Sequence, residues 1–195
     1  MIGTVLLDLD GVVRHFDPDH VGTVEHRHGL APGALTKAAF DPPVLEPVIT
    51  GRRTRAQWIE QVGRSIEAPD AVREWLAERG TIDHDMLIIV DELRARSTAV
   101  AILTNVTDTV ADELRHFGVT DRFDAVFNSA EIGFAKPDRR AFEHVCRSLG
   151  VEPGSVFFID DSASKLTGAI EIGMTARLFE GVGPLRSQLA ALDLL

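Results

Sequence analysis

The feature that most constrains the fold of this chain is the alternation of short apolar runs with segments of helical period. The runs are partly β-branched and are predicted as buried strands at residues 4–9, 100–103, 125–127, 156–159 and 176–179. Between the later runs, apolar residues recur at helical spacing and stop at Gly118 and Gly150. Strands that alternate with helices over short connections are typical of right-handed βαβ units. The sequence therefore predicts an α/β fold with a doubly wound, Rossmann-like parallel sheet.

Capping residues predict where the individual helices begin and end. Thr107 and Asp138 are predicted as the N-caps of the helices that stop at Gly118 and Gly150. A third helix is predicted over about residues 162–172, and Pro184 is placed to open a last one. Residues 85–96 have the apolar pattern of the crossover helix that leads into the second strand.

The first strand connection is too long for a single crossover. It covers 89 residues from Gly11 to Ala99, where one helix and two short loops need far fewer. Within it, Trp58, Val62 and Ile66 fall at helical spacing, and several prolines punctuate the segment. We therefore predict a catalytic α/β core formed by residues 1–13 and 81–195, interrupted by a small helical subdomain at residues 14–80.

Composition and charge narrow the classes of partner. The 195 residues carry 20 Lys and Arg against 30 Asp and Glu, a net charge of −10, which disfavours nucleic acid and anionic membranes. No uncharged apolar stretch approaches the ~18 residues of a membrane span, and the first residues do not resemble a secretory signal. The single cysteine, Cys146, is expected to be a small buried residue in a reducing compartment. A cytoplasmic location is predicted, with the oligomeric state left open.

Polar residues that directly follow the apolar runs are expected to meet at one edge of the sheet, because ligands of open α/β sheets bind beyond the carboxyl ends of the strands. The residues in these positions are carboxylates, a hydroxyl, an amide and an ammonium group. They are Asp8, Asp10, Thr104, Asn105, Lys136, Asp160 and Asp161.

The carboxylates in this set predict a Mg²⁺ site. Asp8 and Asp10 are two residues apart on a strand, so their side chains face the same way while Leu9 points into the core. Close to Asp160 and Asp161, they repel one another unless a cation lies among them. Mg²⁺ prefers such oxygen ligands and commonly binds a substrate phosphate as well, and no Cys/His cluster has zinc spacing. A carboxylate beside Mg²⁺ and Lys136 is suited to attack phosphorus, with Thr104 as a further donor.

At these positions the sequence resembles the haloacid dehalogenase-like (HAD) hydrolase superfamily. Its four motifs correspond here to residues 8–12 (DLDGV), 103–105 (LTN), 136–137 (KP) and 159–162 (IDDS). The resemblance spans nearly the whole chain, and it identifies the predicted insertion with the helical cap that some members carry after the first strand.

The resemblance implies a phosphatase mechanism with specific roles. Asp8 is the nucleophile that becomes an aspartyl phosphate, and Asp10 is the general acid and base whose backbone carbonyl also binds Mg²⁺. Thr104 and the backbone amide of Asn105 bind the phosphoryl oxygens, and Lys136 neutralises the phosphoryl group. Asp160 and Asp161 complete the Mg²⁺ site, with Asp161 favoured for direct contact. The implied substrate is a small phosphorylated metabolite.

Other functions fit part of the same pattern. A sugar-phosphate mutase uses the same aspartyl phosphate, whereas dehalogenation of 2-haloacids needs no metal and has no use for the acid at Asp10. A non-catalytic receiver-like phospho-acceptor domain shares the acidic residues, the Thr and the Lys, but carries its acceptor on a middle strand. A degenerate binding module is disfavoured because no motif position is missing.

Two further features of the sequence are assigned no catalytic role. Basic residues of the predicted insertion, Arg14, His15, Arg52 and Arg53, are expected to be solvated on its surface. The segment from Gly168 to Gly173 has the outer glycine spacing of a phosphate-binding loop, but Met174 and Thr175 follow where that motif requires Lys and Ser/Thr.

Overall fold

The computed structural model describes all residues from 1 to 195. The strands are β1 Thr4–Leu7, β2 Arg14–His15, β3 Thr81–Ile82, β4 Ala99–Thr104, β5 Ala125–Asn128, β6 Val156–Asp160 and β7 Thr175–Leu178. The helices are α1 His20–Arg27, α2 Ala34–Ala39, α3 Pro42–Ile49, α4 Arg55–Ser65, α5 Pro69–Trp75, α6 His84–Ala95, α7 Val110–Phe117, α8 Ser129–Ile132, α9 Arg139–Leu149, α10 Thr167–Glu171 and α11 Val182–Ala191.

The main sheet has five parallel strands in the order β5-β4-β1-β6-β7. All five predicted strands are confirmed, and so is the α/β class. Alternate residues of the central strand β1 point to opposite faces: Val5 and Leu7 join one hydrophobic cluster, and Leu6 joins another. Helices α6, α7 and α11 cover the first face, and α9 and α10 cover the second. The sheet is therefore buried on both sides, as its continuous apolar strands require.

The strand order creates a crevice between the carboxyl ends of β1 and β6. From β1 the chain crosses to β4 through α6 on one face, whereas from β6 it crosses to β7 through α10 on the other. Loops that leave neighbouring strands in opposite directions open a gap, and ligands of open α/β sheets bind at such a switch point. Asp8 follows β1 and Asp160 ends β6, so these two acids lie at the crevice.

Residues 14–80 contain five helices, α1 to α5, between the paired short strands β2 and β3. These helices enclose a hydrophobic cluster of their own, with Trp58, Val62 and Leu35 among its buried members. The buried carboxylate of Glu25 accepts hydrogen bonds from the backbone of Gly33 and Leu35, both at 2.8 Å, which satisfies free amides at the start of α2. The predicted helical character of this segment agrees with the structure, and we refer to residues 14–80 as the insert.

Local helix predictions succeeded except at three helix starts. Asp138 caps α9, since its carboxylate accepts from the Arg140 amide at 2.9 Å, and Gly118 and Gly150 end α7 and α9 in left-handed conformations. Thr107 is not an N-cap: its carbonyl accepts from Asn128, which holds it in the loop, and α7 begins at Val110. The helix predicted over residues 162–172 is shorter, because the Asp160 carboxylate binds the Ser162 amide in a turn before α10. Pro184 is the third residue of α11.

Two predictions that follow from composition can also be compared with the structure. Cys146 lies on α9 and is buried in the hydrophobic cluster on the second face of the sheet, and burial raises the pKa of its thiol. None of the helices has the length and apolar character that a membrane crossing requires.

Candidate active site

Asp8 and Asp10 leave the end of β1 on the same side, as their spacing predicts. Both line one cavity of about 190 Å³, whereas Leu9 between them is fully buried in the core. The Asp8 carboxylate accepts a hydrogen bond from the Leu9 amide at 2.7 Å, which fixes its orientation at the strand end.

Lys136 joins the end of β1 to the end of β6. Its Nζ lies 2.8 Å from Asp8 Oδ1 and 2.5 Å from Asp160 Oδ2. All three side chains are largely buried, and Asp160 is completely so. Because a buried charge is unfavourable without partners, this ion pair network holds the three groups in one arrangement.

Asp8 is destabilised as an anion in the absence of a metal. The pKa of Asp8 is raised from 3.8 to about 7: burial raises it most, Lys136 opposes this rise, and the neighbouring Asp160 adds to it. The pKa of Asp161 is also raised, first by burial and then by Asp160. Carboxyl groups with raised pKa values in a cavity are typical of sites that bind a cation or perform chemistry.

The carboxylates of Asp8, Asp160 and Asp161 fit a hard divalent cation. Their oxygens lie within 4.8 Å of one another. Gly11 makes room for this arrangement, because its φ of +89° suits glycine and a Cβ at that position would be 2.0 Å from Asp161 Oδ2. The cavity lining contains four acids and only two cations, Lys136 and Lys165. An all-oxygen cluster with this excess of negative charge matches the ligand preference of Mg²⁺.

Thr104, the last residue of β4, and Asn105, which follows it, line the same cavity. The Asn105 side chain donates to the Lys136 carbonyl and accepts from the Lys136 amide, both at 2.8 Å. This double contact fixes the backbone on which Lys136 is carried. Helix α10 supports the same loop at close range, since a Cβ on Gly168 would be 1.9 Å from the Pro137 carbonyl oxygen.

The structure brings together every residue that was predicted for the site. Asp8, Asp10, Thr104, Asn105, Lys136, Asp160 and Asp161 all line the 190 Å³ cavity. The insert contributes three apolar side chains to its lining, Phe40, Leu45 and Ile49. The acidic and basic groups of this cavity therefore all come from the core, and the insert covers them with hydrocarbon.

Arg14 differs from its prediction. It was expected to be solvated, but only 2% of its surface is exposed. Its Nε lies 2.6 Å from Asp10 Oδ1, its Nη2 lies 3.1 Å from Asp10 Oδ2, and its Nη1 lies 2.6 Å from Glu113 Oε2. The expectation was wrong because an arginine four residues after a strand-end acid can turn back onto it. Arg52 and Arg53 are exposed, as expected.

Lys165 is a second cation of the cavity that sequence reasoning missed. Burial lowers its pKa, and the positive charge of Lys136 lowers it further. Its Nζ donates to the Lys136 carbonyl at 3.3 Å. Its position five residues after Asp160, in the turn before α10, was the available signal.

Comparison with known proteins identifies the family. The family described as haloacid dehalogenase-like hydrolase matches residues 2–173. Phosphatase MT3486 of Mycobacterium tuberculosis is 28% identical over 204 residues, covering 95% of this chain and 90% of that protein. The (S)-2-haloacid dehalogenase of Pseudomonas sp. strain YL is 30% identical over 100 residues, which cover 47% of this chain and 43% of that protein.

A solved structure supports the fold independently. A HAD-family enzyme of Bacteroides thetaiotaomicron, in complex with magnesium and inorganic phosphate, matches with a TM-score of 0.74 at 21% identity, covering 91% of this chain and 94% of that one. The fold is a doubly wound, Rossmann-like α/β sheet with the site residues at the carboxyl ends of its strands. The chain belongs to the haloacid dehalogenase-like hydrolase family. It is therefore an enzyme, and this excludes the two non-catalytic alternatives, the receiver-like phospho-acceptor domain and the degenerate binding module.

Proposed function

We propose that this protein is a Mg²⁺-dependent phosphomonoester hydrolase that acts on a small phosphorylated substrate through an aspartyl phosphate. The observation that carries the proposal is the convergence of Asp8, Lys136 and the acid pair Asp160 and Asp161 in one cavity. A relative that covers most of the chain bears the name phosphatase. The structural match crystallised with magnesium and inorganic phosphate is in line with the same chemistry.

In the first half of the reaction, an Asp8 carboxylate oxygen attacks the phosphorus and the bond from phosphorus to the leaving alcohol oxygen breaks. Lys136, 2.8 Å from Asp8, neutralises both the nucleophile and the incoming phosphoryl oxygens. The Thr104 hydroxyl and the Asn105 backbone amide are placed at the neighbouring strand end to donate to these oxygens. Asp10 gives its proton to the leaving alcohol.

In the second half, water attacks the aspartyl phosphate. Asp10, now a carboxylate, takes a proton from this water, inorganic phosphate leaves, and Asp8 is regenerated. Arg14 binds both carboxylate oxygens of Asp10 and so determines where that acid points. In this role Arg14 is a positioning residue.

The residues that would hold Mg²⁺ are Asp8, the backbone carbonyl of Asp10, and Asp161. Asp160 is the weaker candidate for direct contact, because its oxygens already bind Lys136 and the Ser162 amide. When bound, Mg²⁺ supplies positive charge that draws the phosphoryl group to Asp8 and stabilises the negative charge of the transition state.

Two alternatives remain distinct from this proposal. A mutase on the same scaffold returns the phosphoryl group to a second hydroxyl and releases no inorganic phosphate. A dehalogenase needs neither the metal nor an acid at Asp10. The acidic trio and the anchored Asp10 favour phosphoryl transfer over dehalogenation.

We further propose that the insert, residues 14–80, is a cap domain and that residues 1–13 and 81–195 form the catalytic domain. The separate hydrophobic cluster of the insert supports this division. The partner in this proposal is the phosphorylated small molecule alone, without nucleic acid or membrane, and the net charge of −10 and the lone buried cysteine favour a cytoplasmic setting.

The test is a screen of phosphate monoesters with Mg²⁺, with Asp8→Asn measured beside the wild type as the blank. We expect release of inorganic phosphate by the wild type only, and loss of this release when the metal is chelated. Mass spectrometry of a quenched reaction should find phosphate on the peptide that contains Asp8. Absence of phosphate release across sugar, nucleotide, alkyl and aryl esters in excess Mg²⁺ would contradict the proposal. Transfer of the phosphoryl group without release would point to the mutase.

A further inference from the structure

A second cavity of about 360 Å³ opens from the proposed active site. It shares Asp10, Phe40, Leu45, Ile49 and Asn105 with the first cavity and extends between the insert and the loop after β4. A leaving group attached to a phosphoryl group at Asp8 therefore has this space to enter. The volume lies near the lower end of the range for small-molecule sites, about 300–1,000 Å³.

The walls of this second cavity are largely hydrocarbon. Four aromatic side chains line it: Phe16, Phe40, Trp58 and Trp75. Phe40 and Trp75 pack edge to face with their ring centres 5.9 Å apart, and Phe40 is 52% exposed. The indole N–H of Trp58 is already bound to the Ala39 carbonyl, so that ring offers the cavity only its apolar surface.

Most of the polar side chains around the cavity already have partners within the protein. Arg14 donates to both Asp10 and Glu113, and Glu113 also accepts from the Thr109 hydroxyl at 2.6 Å. Arg55 donates to the Leu76 carbonyl at 2.7 Å, and Glu78 accepts from the Asp17 amide at 2.8 Å. A sugar or nucleoside needs several polar groups directed at its hydroxyls, and a polar ligand that finds none loses affinity on desolvation.

The charge around the cavity disfavours a second anionic group. Its lining has four acids, Asp10, Asp17, Glu78 and Glu113, against two arginines. Arg14, one of the two, is buried between Asp10 and Glu113. A carboxylate or a further phosphate on the leaving group would meet net negative charge.

From these four observations we infer that the second cavity binds the leaving group and selects monophosphate esters of apolar, uncharged alcohols over phosphorylated sugars, nucleotides and acids. This inference rests on the proposed phosphatase function and adds the class of substrate to it. Trp58 and Trp75 are also the only tryptophans of the chain, which has no tyrosine. Their fluorescence therefore reports on this cavity without any need for catalysis.

The kinetic test compares ethyl, butyl and hexyl phosphate, whose alcohols differ little in chemical reactivity. We expect kcat/KM to rise about fourfold for each methylene that enters the cavity. Glucose 6-phosphate and 3-phosphoglycerate should fall below butyl phosphate. The binding test titrates 1-hexanol into Asp8→Asn, where a saturable change of tryptophan fluorescence is expected and glucose should give none.

A matched pair of variants assigns the effect to the cavity wall. Phe40→Ala removes an exposed aromatic wall residue and should reduce the hexyl-to-ethyl ratio of kcat/KM by about tenfold. Ile88→Ala removes a side chain of similar exposure, 49%, on α6, which lines neither cavity, and should leave this ratio as in the wild type.

Failure of the inference and failure of the phosphatase function give different results. Phosphate release that does not depend on chain length, or that favours glucose 6-phosphate, overturns the apolar-alcohol inference and leaves the phosphatase function standing. Saturable hexanol binding without hydrolysis of any ester supports the apolar cavity and contradicts the phosphatase function. Absence of both a fluorescence change and a chain-length effect contradicts the inference whatever the activity.

Discussion

The core and the insert contribute different chemistry to the same pair of cavities. The core supplies the acids and lysines of the inner cavity, each fixed at a strand end or in the loop beside one. The insert supplies Phe40, Leu45 and Ile49 there, and all four aromatic side chains of the outer cavity. The two regions also differ in packing, since the core has clusters of 21 and 14 buried residues and the insert has one of 8.

In the proposed function, this difference separates the reaction, which the core performs, from the selection of the substrate, which the insert performs. Charged groups that must be held within a fraction of an ångström are best carried by a rigid sheet buried on both faces. Side chains that select a leaving group need only a suitable shape and polarity, which a smaller unit can provide. Changes in the core should therefore alter the chemical step, whereas changes in the insert should alter local stability and substrate choice.

The largest expected effect is the loss of activity when the proposed nucleophile, Asp8, is replaced. Asp8→Asn should reduce phosphate release by roughly 10⁴-fold or more, because an amide cannot form the acyl phosphate. The fold should remain as stable as in the wild type, since the change removes a buried carboxyl whose pKa is raised to about 7. Phosphate release and thermal unfolding measure the two effects.

The control for Asp8→Asn is the same substitution in the insert, at the exposed Asp70. Asp70→Asn should leave the rate of phosphate release unchanged. It should change the free energy of unfolding by no more than about 0.5 kcal/mol. If Asp8→Asn retained most of the activity, Asp8 would not be the nucleophile, and the assignment of the chemical step to the core would be wrong.

The next largest effect concerns whether the insert unfolds independently of the core. Leu35 is fully buried in the insert, and Leu35→Ala should cost about 2–5 kcal/mol of local stability. Hydrogen exchange should then accelerate in residues 20–75 while β1, β4 and β6 remain protected. In the matched core variant, Leu93→Ala, exchange should accelerate throughout the chain. Uniform acceleration in Leu35→Ala would mean that insert and core unfold as one unit.

A smaller effect on the free energy of unfolding is expected when Mg²⁺ is added. In the metal-free protein, Asp8 has a pKa of about 7 when folded and 3.8 when unfolded, so its contribution to stability falls as pH rises from about 4 to about 7. In the proposed site, Mg²⁺ bound to the Asp8 carboxylate would reverse this loss. At a concentration of 100 Kd it should add about 2.7 kcal/mol to the free energy of unfolding.

The measurement is thermal unfolding with and without Mg²⁺ at pH 5 and pH 8. The increase in Tm should be larger at pH 8, because at pH 5 the ion must displace a proton. An increase of equal size at both values would place the ion away from Asp8.

The smallest of the four effects concerns the junction between the two regions. Arg14 lies at the start of the insert and binds both oxygens of Asp10. Lysine cannot reproduce this forked contact, so Arg14→Lys should lower kcat by about tenfold to a hundredfold with little change in KM. Arg52→Lys, at an exposed position of the insert, is the control and should leave kcat unchanged. A change confined to KM would mean that Arg14 acts on substrate binding instead.

Much of the site could be predicted because its residues directly follow strands. The carboxyl ends of parallel strands meet at one edge, so Asp8, Thr104 and Asp160 were brought together by the strand order alone. Arg14 and Lys165 escaped prediction because each reaches the site from a turn, where the direction of a side chain depends on its neighbours. Burial of Arg14 depends on Glu113, which is 99 residues away in the chain.

The sequence by itself determined the α/β class, the helical insert and the set of strand-end acids, because hydrophobic period and capping residues act over a few neighbouring positions. Only the tertiary structure decided which polar groups remain free to meet a ligand. It tied Asp160 to Lys136 and Arg14 to Asp10, and it joined aromatic rings from separate segments of the insert into one apolar wall. These outcomes depend on burial and on contacts between distant segments, which no local pattern encodes.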